Sequence, residues 1–545
     1  MNSSSSSTGT GFFSSKNILW IIVALGIVLR VYHLVDNRSL WEDEVYLSTG
    51  FAEYGFTDVA TKPLPFQQKA PLGYLLIVKG FTTVFGAHEI PLRLFPFICG
   101  VLSLVLFVPV VQRLLKPAGS LVAVALLAFG PITLYHSVEA KQYSVELFSV
   151  ILLLYLYLKY HDKSALKERL VWGLWGAAIV WFSFASIFIM AAMTGAIGLG
   201  LLIKKQYKQI WAMMPVFALW FGSFIINYVL FTSKDSDTAW LVYFFVYHDS
   251  FMPLSAHALP WLVKRMVSFL NYPMGLSWIN VYNTGVLQQT LLRMIFVPLL
   301  LAALGTWQLL SGKKQLLLII GFAFLIVFAA SALKLYPFHE RLTLFLAPLF
   351  IVLLAAGVDF FAQRPYRSPI ALAVLALMVV FGPIKNTLAQ VKDPYLFGDY
   401  KKSFQREALT YLNDNYKPGD VVYVYWNDLP GYNLYKQIYP MKFNAIVGND
   451  YRHKVTDFNN YFKQLDVDLN PFKGKKRVWV IQHNHMDIPI GDFIGDPLWY
   501  YKDNNGPLLF REHVEKMAKP LMSYRPEDPK ASSDVNVTLY DFSVH

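Results

Sequence analysis

Runs of about 20 apolar residues recur along the first 386 positions of this 545-residue chain, and they constrain its fold more than any other feature. A bilayer core takes about 20 apolar residues per helix, so the pattern predicts a polytopic α-helical membrane protein. The composition agrees, because 55% of the residues are hydrophobic and only 15% are charged. The Ser-rich start has no basic leader, and no small-residue cleavage site follows, so residues 17–35 are predicted to be a retained span.

Eleven segments are predicted to cross the membrane: 17–35, 91–111, 119–136, 143–160, 170–186, 187–203, 209–232, 291–310, 315–333, 342–362 and 368–386. Their connections alternate between basic-poor loops and loops with at least two Lys or Arg, such as "QRLLKPAGS" and "KYHDKSALKER". Cytoplasmic loops are enriched in Lys and Arg. The basic loops are therefore predicted to face the cytoplasm, with the N-terminus inside and the C-terminus outside.

Two segments are assigned by this alternation. Residues 170–203 are apolar throughout but have basic loops at both ends, which predicts a tight hairpin near "FSFAS". The stretch 71–86 is only 16 residues long and contains Lys79, so it is predicted to be an amphipathic helix along the outer interface. The predicted outer loops are then 36–90, 137–142, 233–290 and 334–341.

The character of the sequence changes after residue 386. Residues 1–386 are predicted to form the transmembrane domain, and residues 387–545 a soluble α/β domain on the exterior, periplasmic face. "FQREALTYLNDNY" has helical spacing, whereas "GDVVYVYW", "KKRVWVIQHN" and "NVTLYDFSV" have the composition of strands. "HNH" at 483–485 is interpreted as a polar loop, because three letters at a strand end carry little information.

Charge and cysteine content narrow the function classes. The net charge of +12 lies largely in short loops, as a topology signal does, so a nucleic-acid partner is not predicted. The single cysteine, Cys99, excludes disulfides within the chain and Cys-based metal sites.

Polar clusters collect in four outer loops that are far apart in sequence. They are "WEDE" (41–44), "QQKAPLGY" (67–74), "HSVEAKQYS" (136–144) and "KLYPFHERLTLF" (334–345). Charges beside hydrocarbon are costly, so their collection at one membrane depth predicts a functional site.

A substrate with a phosphate head and a long hydrocarbon tail would use such a face. Lys69, Lys141 and Arg341 are candidates to neutralise the phosphate, and an arginine does so with a planar, bidentate fork. A carboxylate would take the proton of an acceptor hydroxyl as general base. In sugar transfer from a lipid phosphate the leaving group is already an anion, so it needs electrostatic stabilisation more than a proton.

Several stretches resemble the GT-C class of membrane glycosyltransferases. They are "SLWEDEVYLS", "KAPLGYLLIVKGFTTVFGAHEIPLRLFPFICGVLSLVLFVPVVQRLL", "HSVEAKQYSVELF" and, more loosely, "HERLTLFLAPLFIVLLAAG". The most similar groups are the bacterial protein O-mannosyltransferases, the aminoarabinose transferases and the rhizobial lipopolysaccharide glycosyltransferases. The resemblance implies a GT-C fold, a polyprenyl-phosphate sugar donor, and a lipid, glycan or protein acceptor at the bacterial cytoplasmic membrane.

The resemblance also implies roles for the acids and cations. Asp43 would be the base that activates the acceptor, and Glu44 would support it. Lys69 would contact the donor phosphate, with Ala70 standing where the relatives have proline. Lys141 takes the place of an arginine, which keeps the charge but loses the bidentate fork.

Four further residues match by position. Arg341 stands where relatives place a phosphate-binding arginine before a late span, beside Glu340. Glu139 precedes Lys141 in its stretch, and Arg93 opens the second span in "LRLFP".

Each of these residues would also suit a purely structural role. Asp43 and Glu44 suit the N-terminus of a helix as caps, and Lys69 and Lys79 suit snorkelling to headgroups. The remaining structural roles are local. Arg93 would anchor its helix end, and Glu139 would form an ion pair with Lys141. Arg341 would pair with Glu340 or Asp249, and His136 and His339 would be interface residues.

Three candidate functions are considered from the sequence. An inverting glycosyltransferase explains the acids and the cations on one face. A transporter or flippase of lipid-linked saccharides should carry ionisable residues near the bilayer midplane, where the predicted spans are almost free of charge. A non-catalytic assembly protein leaves Asp43 and Glu44 without a role. The sequence leaves open whether Asp43, Glu44 and Glu139 hold a divalent cation.

Overall fold

The structure, a computed structural model, describes these parts of the chain: residues 15–231, 239–278, 293–362, 368–399, 401–484, 489–491, 493, 495–502, 505–528 and 531–544. Parts of the predicted loop 233–290, the start of the predicted span 291–310, and His485 of "HNH" lie outside them.

In the described part of the chain, seventeen α-helices come first. They are α1 (Ser15–Val35), α2 (Glu42–Glu53), α3 (Phe56–Thr61), α4 (Leu72–Phe85), α5 (Glu89–Leu114), α6 (Pro117–Phe129), α7 (Pro131–Ser137), α8 (Tyr143–Tyr160), α9 (Leu166–Ile179), α10 (Ser186–Ile203), α11 (Tyr207–Leu230), α12 (Ala239–Tyr247), α13 (Ala258–Asn271), α14 (Phe296–Gly312), α15 (Lys314–Ala332), α16 (Ala347–Ala362) and α17 (Pro369–Lys392). A 3-10 helix, Glu340–Leu346, leads into α16.

Eight helices among the described residues are long and apolar enough to cross a bilayer, or nine if the bent pair α6 and α7 is one span. The predicted spans 170–186 and 291–310 correspond to the shorter helices α9 and α14. The chain is thus a multi-pass, mostly helical membrane protein, while the count of eleven stays a prediction.

The predicted span 119–136 is divided by a bend. The helix breaks at Gly130, and α6 and α7 meet at an angle of 53°. Pro131 explains the break, since proline lacks the N–H donor and its ring clashes with the preceding helical turn. The helix breaks between α9 and α10, at 180–185, where the sequence predicts a hairpin near "FSFAS".

Glycines let the most buried helix of the bundle pack closely. A Cβ added at Gly357 of α16 would lie 2.1 Å from the carbonyl oxygen of Leu301 in α14. A Cβ added at Gly305 of α14 would lie 1.9 Å from the carbonyl oxygen of Leu353. Small residues at such contacts let two backbones approach, which is how membrane helices gain packing energy.

A small α/β unit follows. Its helices are α18 (Gln405–Asn415), α19 (Leu429–Ile438), α20 (Phe458–Leu469), α21 (Leu498–Tyr501) and α22 (Gly506–Glu515), and its strands are β1 (Val421–Val424), β2 (Ile446–Val447), β3 (Val478–His483), β4 (Lys519–Ser523) and β5 (Val535–Asp541). The strand order is β2-β1-β3-β5-β4. β1 pairs in parallel with β2 and β3, whereas β5 pairs antiparallel to β3 and β4. The helix and the three strands expected from the sequence are confirmed.

The α/β unit packs directly on the segment 36–90, which is predicted to be the first outer loop. Leu47 and Phe51 of α2 belong to the same apolar cluster as Leu412 of α18 and Tyr435 of α19. The predicted boundary at 386/387 falls inside α17, which continues to Lys392. This contact places α2, the helix that carries the acids of "WEDE", between the membrane helices and the sheet.

Candidate active site at the outer face

Glu44 lies buried in the first turn of α2. Its carboxylate accepts hydrogen bonds from Arg38 at 2.7 Å, from Arg93 at 2.9 and 3.0 Å, and from the backbone N–H of Ala140 at 2.7 Å. It also accepts a long bond from the backbone N–H of Trp41 at 3.4 Å, as a capping residue does. Burial opposes the charge, but Arg38 and Arg93 hold the pKa of Glu44 below its usual range. Glu44 therefore fixes α2 to α5 and to the loop before α8.

Asp43 points the other way, into a cavity. Its carboxylate is paired with the guanidinium of Arg341, and about a fifth of each side chain stays exposed (22% and 21%). Burial raises the pKa of Asp43, but the charges of Arg341 and then Lys141 outweigh it and hold the pKa below its usual range. Asp43 is consequently an ionised carboxylate at neutral pH.

Arg341 is placed by the turn that ends the last outer loop. Its guanidinium lies over the rings of Trp41 and Tyr143, with centroid distances of 5.3 and 5.6 Å. Glu340 before it has a positive φ of 28°, a conformation that few non-glycine residues adopt. Strained backbone of this kind persists only where the surroundings fix it. The pairing of Arg341 with Asp43 was not among the structural partners considered from the sequence, which were Glu340 and Asp249.

The loop between α7 and α8 adds a hydrogen-bonded chain. Glu139 accepts a bond from the indole of Trp41 at 3.1 Å and contacts Nδ1 of His136 at 2.6 Å. Nε2 of His136 lies 2.5 Å from the hydroxyl of Tyr272, which also accepts a bond from Lys401 at 3.2 Å. Buried polar groups linked in this way hold one another in place.

Lys141 lies beside this chain. Its ammonium donates to the Oε1 atom of Gln68 at 2.6 Å. Burial lowers the pKa of Lys141, and the nearby carboxylate of Asp43 opposes that shift. The ion pair between Glu139 and Lys141 that the sequence left open is replaced by these separate contacts.

A cavity of about 510 Å³ opens beside Asp43. It is lined from both halves of the chain: Trp41, Glu42, Asp43, Tyr46, Phe66, Gln67, Gln68, Trp240, Leu241, Phe244, Phe245, His248, His339, Glu340, Arg341, Leu342, Lys402, His483, Gly491, Phe493 and Asp534. Its size lies within the range of about 300–1,000 Å³ that is usual for small-molecule sites, and its lining combines apolar rings with a few charged groups.

The structure brings together only some of the residues predicted from the sequence. Asp43, Glu340 and Arg341 line the cavity, and Lys141 is bound to its lining residue Gln68. Glu44, Arg93 and Glu139 form the buried support behind it.

Lys69 is not brought to this cavity. It lines a separate cleft of about 90 Å³ with residues of α3, α4 and α11. A direct contact between Lys69 and a phosphate bound beside Arg341 is therefore not supported by the geometry. Lys79 donates to the carbonyl oxygen of Phe51 at 3.0 Å.

Several site residues were missed by sequence reasoning. Arg38, Lys401 and Tyr272 act through buried contacts, and no motif or spacing marks them. Lys402 and His483 come from the region after residue 386, which was expected to be a separate domain. "HNH" contributes His483, whose imidazole lies 3.6 Å from the carboxylate of Asp534.

The trio of carboxylates considered for a divalent cation does not fit that role. The oxygens of Glu44 are bonded to arginines and a backbone N–H, and those of Glu139 to His136 and Trp41. Within the described ranges, no group of three or more His, Cys, Asp or Glu side chains is arranged to hold a metal ion.

Known proteins share this architecture. Residues 69–233 match the family model described as dolichyl-phosphate-mannose-protein mannosyltransferase. No curated protein matches the chain in sequence. The crystal structure of ArnT from Cupriavidus metallidurans bound to undecaprenyl phosphate superposes with a TM-score of 0.51 at 11% identity, over 97% of this chain and 98% of that one. The chain has the GT-C fold.

Two further solved structures are similar. ArnT from Cupriavidus metallidurans in the apo state has a TM-score of 0.49 at 11% identity, over 96% of this chain and 98% of that one. The oligosaccharyltransferase of Archaeoglobus fulgidus, in complex with Zn and sulfate, has a TM-score of 0.47 at 14% identity, over 96% of this chain and 73% of that one. The family model and the fold shared with ArnT bound to undecaprenyl phosphate confirm the resemblance to GT-C membrane glycosyltransferases that the sequence indicated.

Proposed function

We propose that this protein is an inverting glycosyltransferase of the bacterial cytoplasmic membrane. It moves a sugar from a polyprenyl-phosphate donor to a hydroxyl of a lipid, glycan or protein acceptor at the outer face. The observation that carries the proposal is the pair of Asp43 and Arg341 in the wall of the large cavity. The undecaprenyl phosphate bound to ArnT, which shares the fold, supports a lipid phosphate as the donor's carrier.

The reaction is a single displacement. The acceptor oxygen attacks the anomeric carbon from the face opposite the phosphate, and its proton passes to Asp43. The bond between the anomeric carbon and the phosphate oxygen breaks, and its electrons leave with polyprenyl phosphate. The acceptor hydroxyl becomes acidic only as the new bond forms, so a carboxylate with a low pKa suffices as the base.

Arg341 serves both partners of this reaction. A guanidinium has five N–H donors in a planar fork, so Arg341 can hold Asp43 and also donate to a phosphate oxygen. Lys141 adds positive charge next to Asp43. Preorganised cations of this kind stabilise the anionic leaving group without reorganisation during the reaction.

The buried acids have a different task. We assign Glu44, Arg93 and Glu139 to positioning, because their polar atoms are used within the protein. Glu340, which lines the cavity, is assigned to orienting Arg341, its neighbour in the turn. We propose that Lys69 contacts a phosphate only if the phosphate binds in the separate cleft that Lys69 lines, away from Asp43.

The proposed orientation in the membrane is based on the alternation of Lys- and Arg-rich loops with basic-poor loops along the sequence. We propose that residues 1–386 are the transferase domain, with a cytoplasmic N-terminus, and that 387–545 lie outside as a domain that covers the cavity. The contacts of α18 and α19 with the loop before α2 support this placement.

A transporter of lipid-linked saccharides is the second candidate. Ionisable residues within the spans would then line a path. Here Arg30 donates to backbone carbonyls of Gly26, Leu127 and Ala128, and Asp359 accepts from the N–H groups of Lys116 and Gly119. The charged side chains of Arg30 and Asp359 thus form hydrogen bonds with backbone groups, which favours a transferase over a transporter.

The test is a transfer assay in proteoliposomes that contain labelled polyprenyl-phosphate sugars and an acceptor fraction from a bacterial envelope. We expect a new glycoside with inverted anomeric configuration, in equal amount to the polyprenyl phosphate released. Retained configuration would contradict the single displacement. Movement of intact lipid-linked sugar between leaflets, without a new glycoside, would establish the transporter instead.

A further inference from the structure

The cavity has an aromatic wall that the reaction described above does not use. The rings of Tyr46 and Phe66 are stacked with their centroids 4.7 Å apart. Phe493 completes the group, at 6.0 Å from Tyr46 and 6.2 Å from Phe66. All three side chains line the cavity and none is fully buried, so part of each ring borders the space that a ligand would occupy.

This wall is assembled from three separate parts of the chain. Tyr46 lies on α2, one turn after Asp43, and Phe493 belongs to the segment between β3 and α21. Phe66 lies in the first outer loop, and it and Gln67 have positive φ values of 55° and 53°. Two successive non-glycine residues in this conformation cost free energy, and such strain concentrates at sites where a side chain must be aimed.

Polar groups surround the rings. The hydroxyl of Tyr46 donates to Oε1 of Glu42 at 2.7 Å, and both side chains line the cavity. The imidazole of His483 and the carboxylate of Asp534, 3.6 Å apart, line it from the α/β unit. Burial opposes the charge of His483, but Asp534 and then Glu42 and Asp428 raise its pKa to about 9.

The charges of the cavity are thus divided. Arg341, with Lys141 behind it, is positive beside Asp43 and suits a phosphate. Near the rings, the acids Glu42 and Asp534 lie together with the imidazole of His483, so this wall has no excess of positive charge for a second anionic group. A neutral ligand that has hydroxyl groups as well as an apolar ring face would bind to this wall more favourably than a phosphate would.

A saccharide has these properties. One face of a pyranose ring presents C–H groups, which pack on the electron-rich face of an aromatic ring. Its hydroxyls donate to carboxylates and accept from an imidazolium. A serine or threonine on a peptide would supply one hydroxyl but no ring face to pack on these aromatic side chains.

We infer that Tyr46, Phe66 and Phe493, with Glu42 and the pair of His483 and Asp534, form an acceptor subsite for a neutral saccharide. The inference rests on the proposed transferase function and names its acceptor class. It also makes the α/β unit a determinant of acceptor specificity, since Phe493, His483 and Asp534 belong to it.

Steady-state kinetics of Phe493→Ala test the subsite. Removing a ring that stacks on the acceptor should raise the acceptor KM about tenfold or more, as loss of an aromatic anchor does. The donor KM should change much less, because Phe493 is not part of the phosphate-binding wall. The conservative variant Phe493→Tyr should recover most of the acceptor affinity.

Matched controls separate this effect from misfolding. Phe56→Ala removes an exposed ring from the loop that also carries Phe66, at a position that does not line the cavity, and it should leave both KM values at the wild-type level. Each variant is compared with the wild type for its thermal transition. An unchanged acceptor KM in a folded Phe493→Ala protein would overturn the subsite.

The acceptor class is tested with three pools from one envelope preparation: neutral oligosaccharides freed of phosphate, phosphorylated glycans, and serine- and threonine-containing peptides. We expect transfer to the oligosaccharides. Transfer to peptides alone, or only to phosphorylated glycans, would overturn the inference while leaving the transferase intact. Failure of the wild type to transfer sugar to any acceptor would instead count against the transferase itself.

Discussion

Asp43 and Glu44 are neighbours on α2, but they face different surroundings. Glu44 is fully buried and bonded to two arginines, whereas Asp43 borders the cavity and is paired with one. A helix places consecutive side chains about 100° apart, so one acid can support the fold while the next acts on a substrate. The two carboxylates therefore have different roles, so substitution of Glu44 should lower stability and substitution of Asp43 should lower the rate of sugar transfer.

Glu44→Gln should destabilise the protein. The substitution leaves Arg38 and Arg93 buried without their carboxylate, and breaking a buried pair costs about 3–5 kcal/mol. We expect a lower thermal transition of the purified protein in detergent. The control Asp58→Asn alters an exposed pair with Lys62 and keeps an oxygen for the backbone N–H of Gly55, so it should leave the transition unchanged. Wild-type stability of Glu44→Gln would show that the network is not structural.

Asp428 should make stability depend on pH. Its carboxylate accepts a bond from Gln405 at 2.7 Å, and burial raises its pKa from 3.8 to about 7. The folded state then binds more protons than the unfolded state. Its contribution to stability is fully present below the unfolded pKa and is lost as pH rises through 7.

Thermal transitions of wild type and Asp428→Asn, measured between pH 5 and pH 8, test this (a range set by the folded pKa of about 7). The introduced amide would keep an acceptor for Gln405 but cannot ionise, so the decline with rising pH should become shallower. An equally steep decline in the variant would contradict a raised pKa for Asp428.

At the scale of elements, the closest helix contact is the approach of α14 and α16. Gly357→Ala should destabilise it, because the new methyl group would meet the backbone carbonyl of Leu301 at 2.1 Å. Overpacking of this kind costs about 1–3 kcal/mol. Gly321→Ala on α15 is the control, since nothing lies within 4 Å of its added Cβ.

The comparison of the two glycine variants is made by thermal unfolding in the same detergent. The transition should fall for Gly357→Ala and stay equal or rise for Gly321→Ala, where alanine favours the helix by about 0.5–1 kcal/mol. Equal transitions for both variants would mean that α14 and α16 do not pack this closely.

Sequence reasoning succeeded where one element carries its own signal. The span 143–160 coincides with α8, and "GDVVYVYW" and "NVTLYDFSV" contain β1 and β5. Apolar periodicity is local, so it predicts elements of this length well. The break at Gly130 was missed because its apolar run is continuous, and only Pro131 marks the bend.

The site was predicted less completely, because it depends on contacts between distant parts of the chain. The acids of "WEDE" and Arg341 were identified by residue type, but the pairing of Asp43 with Arg341 requires the folded bundle. Lys69 has the right charge and a suggestive motif, yet it lies in another cleft. His483 carried only a weak motif, and nothing in its spacing indicated that it reaches the cavity.

At the scale of the whole molecule, the α/β unit and the membrane helices share one polar contact region. Arg406 of α18 donates to Glu89 at 2.9 Å and to the carbonyl oxygen of Asn37 at 2.7 Å. The hydroxyl of Tyr435 accepts from the N–H of Leu40 at 2.8 Å. These bonds hold the loop that leads to α2, so the exterior unit helps to position Asp43.

Arg406→Ala should therefore weaken both stability and activity. Glu89 is buried and would keep only its tyrosine partners, at a cost of about 2 kcal/mol. We expect a lower thermal transition and a slower sugar transfer. Arg511→Ala, which alters a loose and exposed pair with Glu515, is the control and should change neither. Normal transfer by Arg406→Ala would show that the exterior unit does not position the site.

The most direct test of the account is the rate of sugar transfer by Asp43→Asn beside Asp58→Asn, at matched folding and expression. Asn keeps an oxygen for Arg341 but cannot take the acceptor's proton, so the account predicts a rate at least about 10²-fold lower. Asp58→Asn makes the same change in the same outer loop, away from the cavity, and should match the wild type. Transfer by Asp43→Asn at the wild-type rate would contradict the assignment of Asp43 as the base.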